Sequence, residues 1–302
     1  MIPQRGRIAE GILAAFYHLL KLLPTETASA IGSRGYIWNA RTNLKEAVAS
    51  AKANLRRHKP DANEAEIDAM VDEFYDAVGR VAAEFAVMHR FFDEGRITVR
   101  NEAGIVATHG KRPIVALCVH TGNWEVFSPV FQKLGIPLNS IIAPPETGFE
   151  RLIVEETRRQ FGVNTILPTA SGTREAIRIL RANGLVSMFP DEARDGVLHG
   201  PLFGRDPHDR GNLAIAARLA RMTNAAFVLG HCRRTGACRF ELTFSDIFEF
   251  PDSDGRPDVL SDVTFLNSRI EPLVLAAVPR WYFLDDAIVP ITVKEIKHKK
   301  IS

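Results

Sequence analysis

The chain has 302 residues, and 46% of them are hydrophobic, which is enough for one large α/β domain or two small ones. Its formal net charge is +2, so no bulk electrostatic attraction points to nucleic acid as a partner. Three cysteines are too few for a secreted disulfide framework and favour a reducing compartment.

An amphipathic helix is predicted at the start of the chain, within residues 1–24. Its apolar residues recur at helical spacing: Ile8, Ile12, Leu13, Phe16, Leu19, Leu20 and Leu23. Charged residues interrupt the run and no small-residue cleavage site follows, so we expect neither a signal peptide nor a membrane span. Two alternatives stay open: the helix lies in a membrane interface, or it packs on the domain.

Helical periodicity continues over residues 37–95, with a break and a cap predicted at Pro60–Asn63. From residue 111 strands alternate with helices, which predicts βαβ units and a largely parallel sheet. The predicted strands lie near 113–119, 138–143, 163–167, 185–189, 226–232 and 238–244. The predicted helices lie near 124–134, 148–161, 172–183, 210–222 and 259–278. The fold class is therefore α/β: a mostly parallel mixed sheet flanked by helices, with a helical N-terminal region.

The last two predicted strands should form an antiparallel hairpin, because only Thr235-Gly236 and their neighbours separate them. Cys232 and Cys238 flank that turn, and a disulfide between them is one alternative. No Cys/His spacing suggests zinc, so no metal site is predicted.

The most informative motif begins where an apolar run, Pro113–Val119, ends on His120. This places the imidazole at the carboxyl end of a strand, where open α/β sheets bind their ligands. Gly122 permits a tight turn, and Glu125 falls in the first turn of the next helix. A carboxylate beside an imidazole fixes its tautomer and stabilises the imidazolium. A His and a Glu five residues apart are more often structural, but the position after a strand favours a catalytic pair.

The stretch His120-Thr-Gly-Asn-Trp-Glu125 resembles the signature of glycerolipid and lysophospholipid acyltransferases, a His-x4-acid motif after a strand. Its full form resembles the late acyltransferases of lipid A biosynthesis, the lauroyl and myristoyl transferases. Other stretches similar to this family follow in the same order: Asn54-Leu55, Ala62–Phe74, Phe189–Arg194, Leu202–Gly204 and Gly211–Arg221. The segment Pro279–Phe283 departs from the family's basic-aromatic finish.

The resemblance implies a glycerolipid acyltransferase-like fold, with a membrane-associating helix at 1–24 and a single acyltransferase domain over 25–302. Within it, 25–110 would be mainly helical and 111–302 the α/β core. Direct acyl transfer is implied, with His120 as the general base and Glu125 orienting it. The donor would be acyl carrier protein, with coenzyme A as an alternative, and no cofactor is needed. The reaction would take place on the cytoplasmic side of the inner membrane.

Four further residues are candidates for substrate binding. Arg194 could grip a phosphate of the acceptor, or form a surface ion pair. Asp191 could hold Arg194 or shape the backbone, and Arg174 could point at the site from the first turn of its helix. Asn123 is expected to cap the helix after the motif.

Three functions remain open from the sequence. The first is an acyltransferase acting on a lipid A precursor, and the second an acyltransferase for another phospholipid or glycolipid. The third is a catalytically silent lipid-binding module of the same fold, against which the intact His120 and Glu125 argue.

Overall fold

A computed structural model describes residues 7–143, 148–194, 197–251 and 258–286, without the side chains of 7–10, 149, 150 and 194. The predicted helical N-terminal region is confirmed, and in the described chain it consists of four helices: α1 (Arg7–Leu20), α2 (Thr25–Asn43), α3 (Lys45–His58) and α4 (Glu64–Glu84). The predicted cap is confirmed, because the Asn63 side chain accepts from the Glu66 backbone N–H at 3.0 Å and Glu66 returns a bond to Asn63.

A seven-stranded sheet forms the centre of the molecule. Its strands are β1 (Ile97–Arg100), β2 (Ile114–Cys118), β3 (Asn139–Ile141), β4 (Asn164–Ile166), β5 (Leu185–Met188), β8 (Ala226–Gly236) and β9 (Arg239–Phe244). Their spatial order is β1-β9-β8-β2-β5-β3-β4, and every pair is parallel except β8–β9. The predicted fold class and the predicted hairpin are therefore confirmed.

Helices cover both faces of the sheet. After the first four come α5 (Ala103–Thr108), α6 (Phe127–Lys133), α7 (Gly148–Gln160), α8 (Ala170–Arg181), α9 (Gly211–Thr223) and α10 (Val259–Ala276). Strand β2 is buried on both faces: Val115 and Leu117 pack towards α8, α9 and α10, whereas Ile114 and Ala116 pack towards α6 and the N-terminal helices. This burial makes β2 a rigid base for the residues that follow it.

Three features differ from the sequence prediction. The sequence does not predict strand β1 or a short hairpin, β6 (Glu192–Arg194) with β7 (Val197–Gly200), because β1 is only half-buried and β6 carries two charged residues, so neither contains an apolar run. The helix predicted at 124–134 begins as a separate 3-10 turn over Trp124–Val126.

Cys232 and Cys238 do not form the disulfide that the sequence allows. Cys118, Cys232 and Cys238 are all free and buried. The Cys238 sulfur lies 3.5 Å from the Thr25 carbonyl, in contact with α2. Cys232 instead lies against the turn after β2, so the two sulfurs contact different parts of the protein.

Candidate active site

Two neighbouring strands position the two central residues of the site, His120 and Asp191. Strands β2 and β5 are parallel and paired, with Leu117 opposite Met188. His120 follows β2 by two residues and Asp191 follows β5 by three. Because parallel strands end at the same edge, the two side chains meet in the crevice where such sheets bind ligands.

The hydrogen bonds between them fix the tautomer of the imidazole. His120 Nδ1 lies 3.0 Å from Asp191 Oδ1 and 3.2 Å from the Asp191 carbonyl oxygen. Both neighbours are acceptors, so Nδ1 carries the hydrogen and donates it. The other ring nitrogen, Nε2, then keeps its lone pair and can accept a proton. The His120 side chain is 17% exposed, whereas Asp191 is fully buried.

A segment close to the end of the described chain completes this arrangement. The Trp281 indole N–H donates to Asp191 Oδ2 at 2.9 Å, and the His120 backbone N–H donates to the same oxygen at 2.7 Å. The Tyr282 backbone N–H donates to the His120 carbonyl oxygen at 3.0 Å. Sequence reasoning missed Trp281; the only signal was the aromatic run Trp281–Phe283.

Aromatic rings surround the imidazole. Phe189 lies 4.2 Å from the His120 ring by centroid, Phe283 5.1 Å and Trp124 5.3 Å. Tyr282 lies at 6.0 Å and remains 40% exposed. These rings exclude water from most of the imidazole, which strengthens the electrostatic effect of Asp191.

The predicted pairing of Glu125 with His120 is wrong in this structure. Within the described chain, the Glu125 carboxylate is bonded by Arg158 of α7, with Nη2 to Oε1 at 2.7 Å, and His120 is bonded by Asp191 instead. The 3-10 turn that carries Glu125 directs it into a buried position, 6% exposed, where α7 meets the sheet. Five residues of sequence separation did not bring the two side chains together.

The turn between His120 and Glu125 packs closely against β8. Gly122 has φ +64°, and a Cβ there would lie 2.5 Å from the Cys232 carbonyl oxygen, so only glycine fits. The Thr121 hydroxyl donates to the same carbonyl at 3.1 Å. The turn therefore rests directly on β8.

Asn123 caps the following turn, as the sequence predicts, by accepting from the Glu125 backbone N–H at 3.1 Å. Its amide donates to Glu84 Oε2 at 2.8 Å, and the residue is fully buried. Both ends of the amide are engaged inside the protein, so the assignment of Asn123 to substrate binding is corrected to a structural role.

Of the two predicted arginines, Arg174 lies apart from His120 and Asp191, whereas Arg194 lies close to Asp191 along the chain. Arg174 is exposed on the first turn of α8, which follows the edge strand β4. Three strand spacings separate β4 from β2, which is about 14 Å. The backbone of Arg194 lies in β6, near Asp191, and its side chain is outside the described part of the chain. The Asp191 carboxylate accepts from His120 and Trp281, not from an arginine whose side chain is described.

The cysteines are poorly suited to act as nucleophiles. Burial, and then the charge of Asp191, raise the pKa of the Cys118 thiol. Burial raises the pKa of Cys232 to about 12 and that of Cys238 to about 11. All three remain thiols at neutral pH, and the thiolate is the reactive form. In the described ranges no group of three His, Cys, Asp or Glu residues could hold a metal ion.

Comparison with known proteins identifies the class of enzyme. The family model described as bacterial lipid A biosynthesis acyltransferase matches residues 6–286. Among curated proteins none matches the sequence. A solved structure, the 1-acyl-sn-glycerophosphate (LPA) acyltransferase PlsC from Thermotoga maritima, is 12% identical, with 82% of this chain and 98% of that chain covered and a TM-score of 0.37. The protein is an acyltransferase. It belongs to the bacterial lipid A biosynthesis acyltransferase family.

Proposed function

We propose that the enzyme transfers a fatty acyl chain from acyl carrier protein to a hydroxyl of a lipid A precursor, with His120 as the general base. The observation that carries this proposal is the pair of acceptors around His120 Nδ1, which leaves Nε2 free of its hydrogen. The family membership supports the lipid acceptor and the acyl donor.

The chemistry follows from that tautomer. His120 Nε2 takes the proton of the acceptor hydroxyl, whose oxygen attacks the thioester carbonyl carbon of the donor. A C–O bond forms, the tetrahedral oxyanion collapses, and the C–S bond breaks. The imidazolium then returns its proton to the leaving thiolate. A positioned base contributes about 10²–10⁴ in rate, and Asp191 stabilises the imidazolium formed on the way.

In this proposal, Arg194 supplies the contact to a phosphate of the acceptor. Arg194 lies on β6, which begins immediately after Asp191. Its planar guanidinium matches the oxygens of a phosphate, and lipid A precursors present such groups beside their hydroxyls. Glu125 acts with Arg158 as a buried ion pair that fixes the wall of the site carrying Trp124.

Helix α1 supports a position at the membrane. Ile12 is 65% exposed, Phe16 43% and Leu19 53%, and their spacing places them along one stripe of the helix. Tyr17 and Leu20, which lie beside this stripe on the helix, are buried against the domain. One face therefore packs, and the other is open to insert into an interface. We place the enzyme on the cytoplasmic face of the inner membrane, held there through α1. In the described ranges, no helix has the length and apolarity needed to cross a membrane.

Mass spectrometry of membrane lipids from a strain that lacks the enzyme tests the acceptor. The proposal predicts that lipid A loses one acyl chain and that the underacylated precursor accumulates. Unchanged lipid A together with a deacylated phospholipid or other glycolipid would contradict the acceptor. Purified enzyme offered acyl carrier protein and coenzyme A thioesters of one chain length tests the donor, and the carrier-protein thioester should be consumed faster.

A further inference from the structure

A buried ion pair links the N-terminal helices to the sheet. Glu84, near the end of α4, receives both terminal nitrogens of Arg234 from β8, each at 2.7 Å. The Glu84 side chain is fully buried, and that of Arg234 is 9% exposed. Replacing such a pair by apolar residues is often neutral or stabilising, so its presence calls for an explanation other than stability.

Three more groups donate to the same carboxylate, among them the Cys238 thiol, whose sulfur lies 3.5 Å from Oε1. The Ser29 hydroxyl of α2 donates to Oε1 at 2.7 Å, and the Asn123 amide donates to Oε2 at 2.8 Å. Burial alone would raise the pKa of Glu84, but Arg234 and these donors hold it below its usual range. Glu84 is therefore an anion at neutral pH and only accepts hydrogen bonds.

An obligate acceptor at Glu84 determines which way the Asn123 amide faces. The NH₂ group must point to Glu84, so the carbonyl oxygen points to the Glu125 backbone N–H, which it accepts at 3.1 Å. With the amide reversed, two donors would meet at one end and two acceptors at the other. Glu84 thus fixes the capping bond that shapes the turn.

That turn is held at both ends by buried carboxylates. Asp191 holds His120 at its start through the backbone and the ring, and Glu84 holds Asn123 three residues later. We propose that Glu84 is a positioning residue for acyl transfer, which acts through Asn123 to set the place of His120. The proposal rests on the role of His120 proposed above.

A matched pair of variants tests it. Asn123→Ser keeps a side chain that can cap the turn but is too short to reach Glu84. Ser29→Ala removes a different hydrogen bond from the same carboxylate, together with the bond that Ser29 accepts from Arg80 at 3.2 Å, and leaves the bond between Asn123 and Glu84 in place. We expect both variants to melt earlier, and only Asn123→Ser to lose at least about tenfold in kcat, because small displacements of a base are costly. KM for both substrates should change much less.

An exchange of charge provides the second test. Glu84→Gln leaves Arg234 without its anion, and Asn123→Asp places two carboxylates together. The double variant again has one carboxylate and one amide, with the hydrogen bond reversed and the capping oxygen retained. Its kcat should exceed that of either single variant by at least about tenfold.

Equal kcat values for Asn123→Ser and Ser29→Ala, measured where both are folded, would overturn the proposal. A double variant whose kcat is no higher than that of either single variant would also overturn it. If Asn123→Ser does not fold, this second comparison is sufficient by itself. His120→Ala distinguishes a failure of the positioning role of Glu84 from a failure of the proposed base. If that variant is inactive while Asn123→Ser is fully active, the positioning role fails and the proposed base stands; an active His120→Ala removes the base itself.

Discussion

Replacing Asp191 by Asn should switch the tautomer of His120 without unfolding the enzyme. Three N–H groups converge on the carboxylate: Trp281 Nε1 and the His120 backbone N on Oδ2, and His120 Nδ1 on Oδ1. An asparagine has one oxygen, which can accept two of these bonds. The favourable rotamer places it on the Oδ2 side, and its NH₂ group then faces Nδ1.

Nδ1 can accept that hydrogen only if the proton moves to Nε2, and Nε2 then ceases to be a base. We expect kcat to fall by about 10²–10⁴-fold. One charge-assisted hydrogen bond is lost, about 1.5–3 kcal/mol of a total stability of about 5–15 kcal/mol, so the variant stays folded.

The assay is acyl transfer monitored by mass spectrometry, with the tautomer read from nitrogen chemical shifts of the imidazole. Glu125→Gln is the matched control, because it also replaces a buried carboxylate, here one bound by Arg158. It should lose less activity and leave the tautomer unchanged. Normal turnover in Asp191→Asn with a large loss in Glu125→Gln would refute this reasoning and favour a catalytic pair of His120 and Glu125.

Four other predictions concern Arg194, helix α1, Gly122 and Glu84. Arg194→Ala should raise KM for the phosphorylated acceptor about tenfold or more, with little change for the acyl donor, in steady-state kinetics. Phe16→Glu with Leu19→Glu should release the enzyme from anionic vesicles in flotation while its melting temperature holds, because both side chains are exposed. Gly122→Ala should lower the free energy of unfolding by about 1–3 kcal/mol in a denaturant titration, since φ is +64° there. Burial would raise the pKa of Glu84, but Arg234 and the other donors hold it below its usual range. The stabilisation from this carboxylate should therefore be complete above about pH 4.5 and disappear as the pH falls through the lower pKa of the folded state, which melting curves measure.

Each of these four predictions has a result that would contradict it. An unchanged acceptor KM would assign Arg194 to a surface ion pair. Vesicle binding that survives both glutamates would place the membrane contact elsewhere. A fully stable Gly122→Ala would mean that β8 yields to the added methyl group. A Glu84→Gln variant that loses stability on acidification as steeply as the wild type would assign that loss to other carboxylates.

The sheet could be predicted from the sequence because its central strands lie in apolar runs bounded by turn residues. Strand β2 is wholly apolar and is followed two residues later by His120, so both the position of the strand and the edge of the sheet that carries the site could be predicted. The hairpin β8–β9 followed from its turn residues. Strand β1 pairs only with β9 and has an alternating half-buried pattern too short to recognise.

The partner of His120 could not be predicted by proximity in sequence. Glu125 is five residues away but forms an ion pair with Arg158 of α7. Asp191 is seventy-one residues away, and the pairing of β2 with β5 brings it close to His120. Strand order decides this, and no local pattern encodes it. The same applies to Trp281, which reaches Asp191 only after α10 has crossed one face of the sheet.

The most direct test of the account is a comparison of the purified wild-type enzyme with His120→Ala, given acyl carrier protein thioester and a lipid A precursor. The account predicts that the wild type adds the mass of one acyl chain to the precursor and that His120→Ala does not. The variant should keep its fold by circular dichroism, because little core volume is removed. Transfer by His120→Ala at the wild-type rate would contradict the central claim that this imidazole is the base.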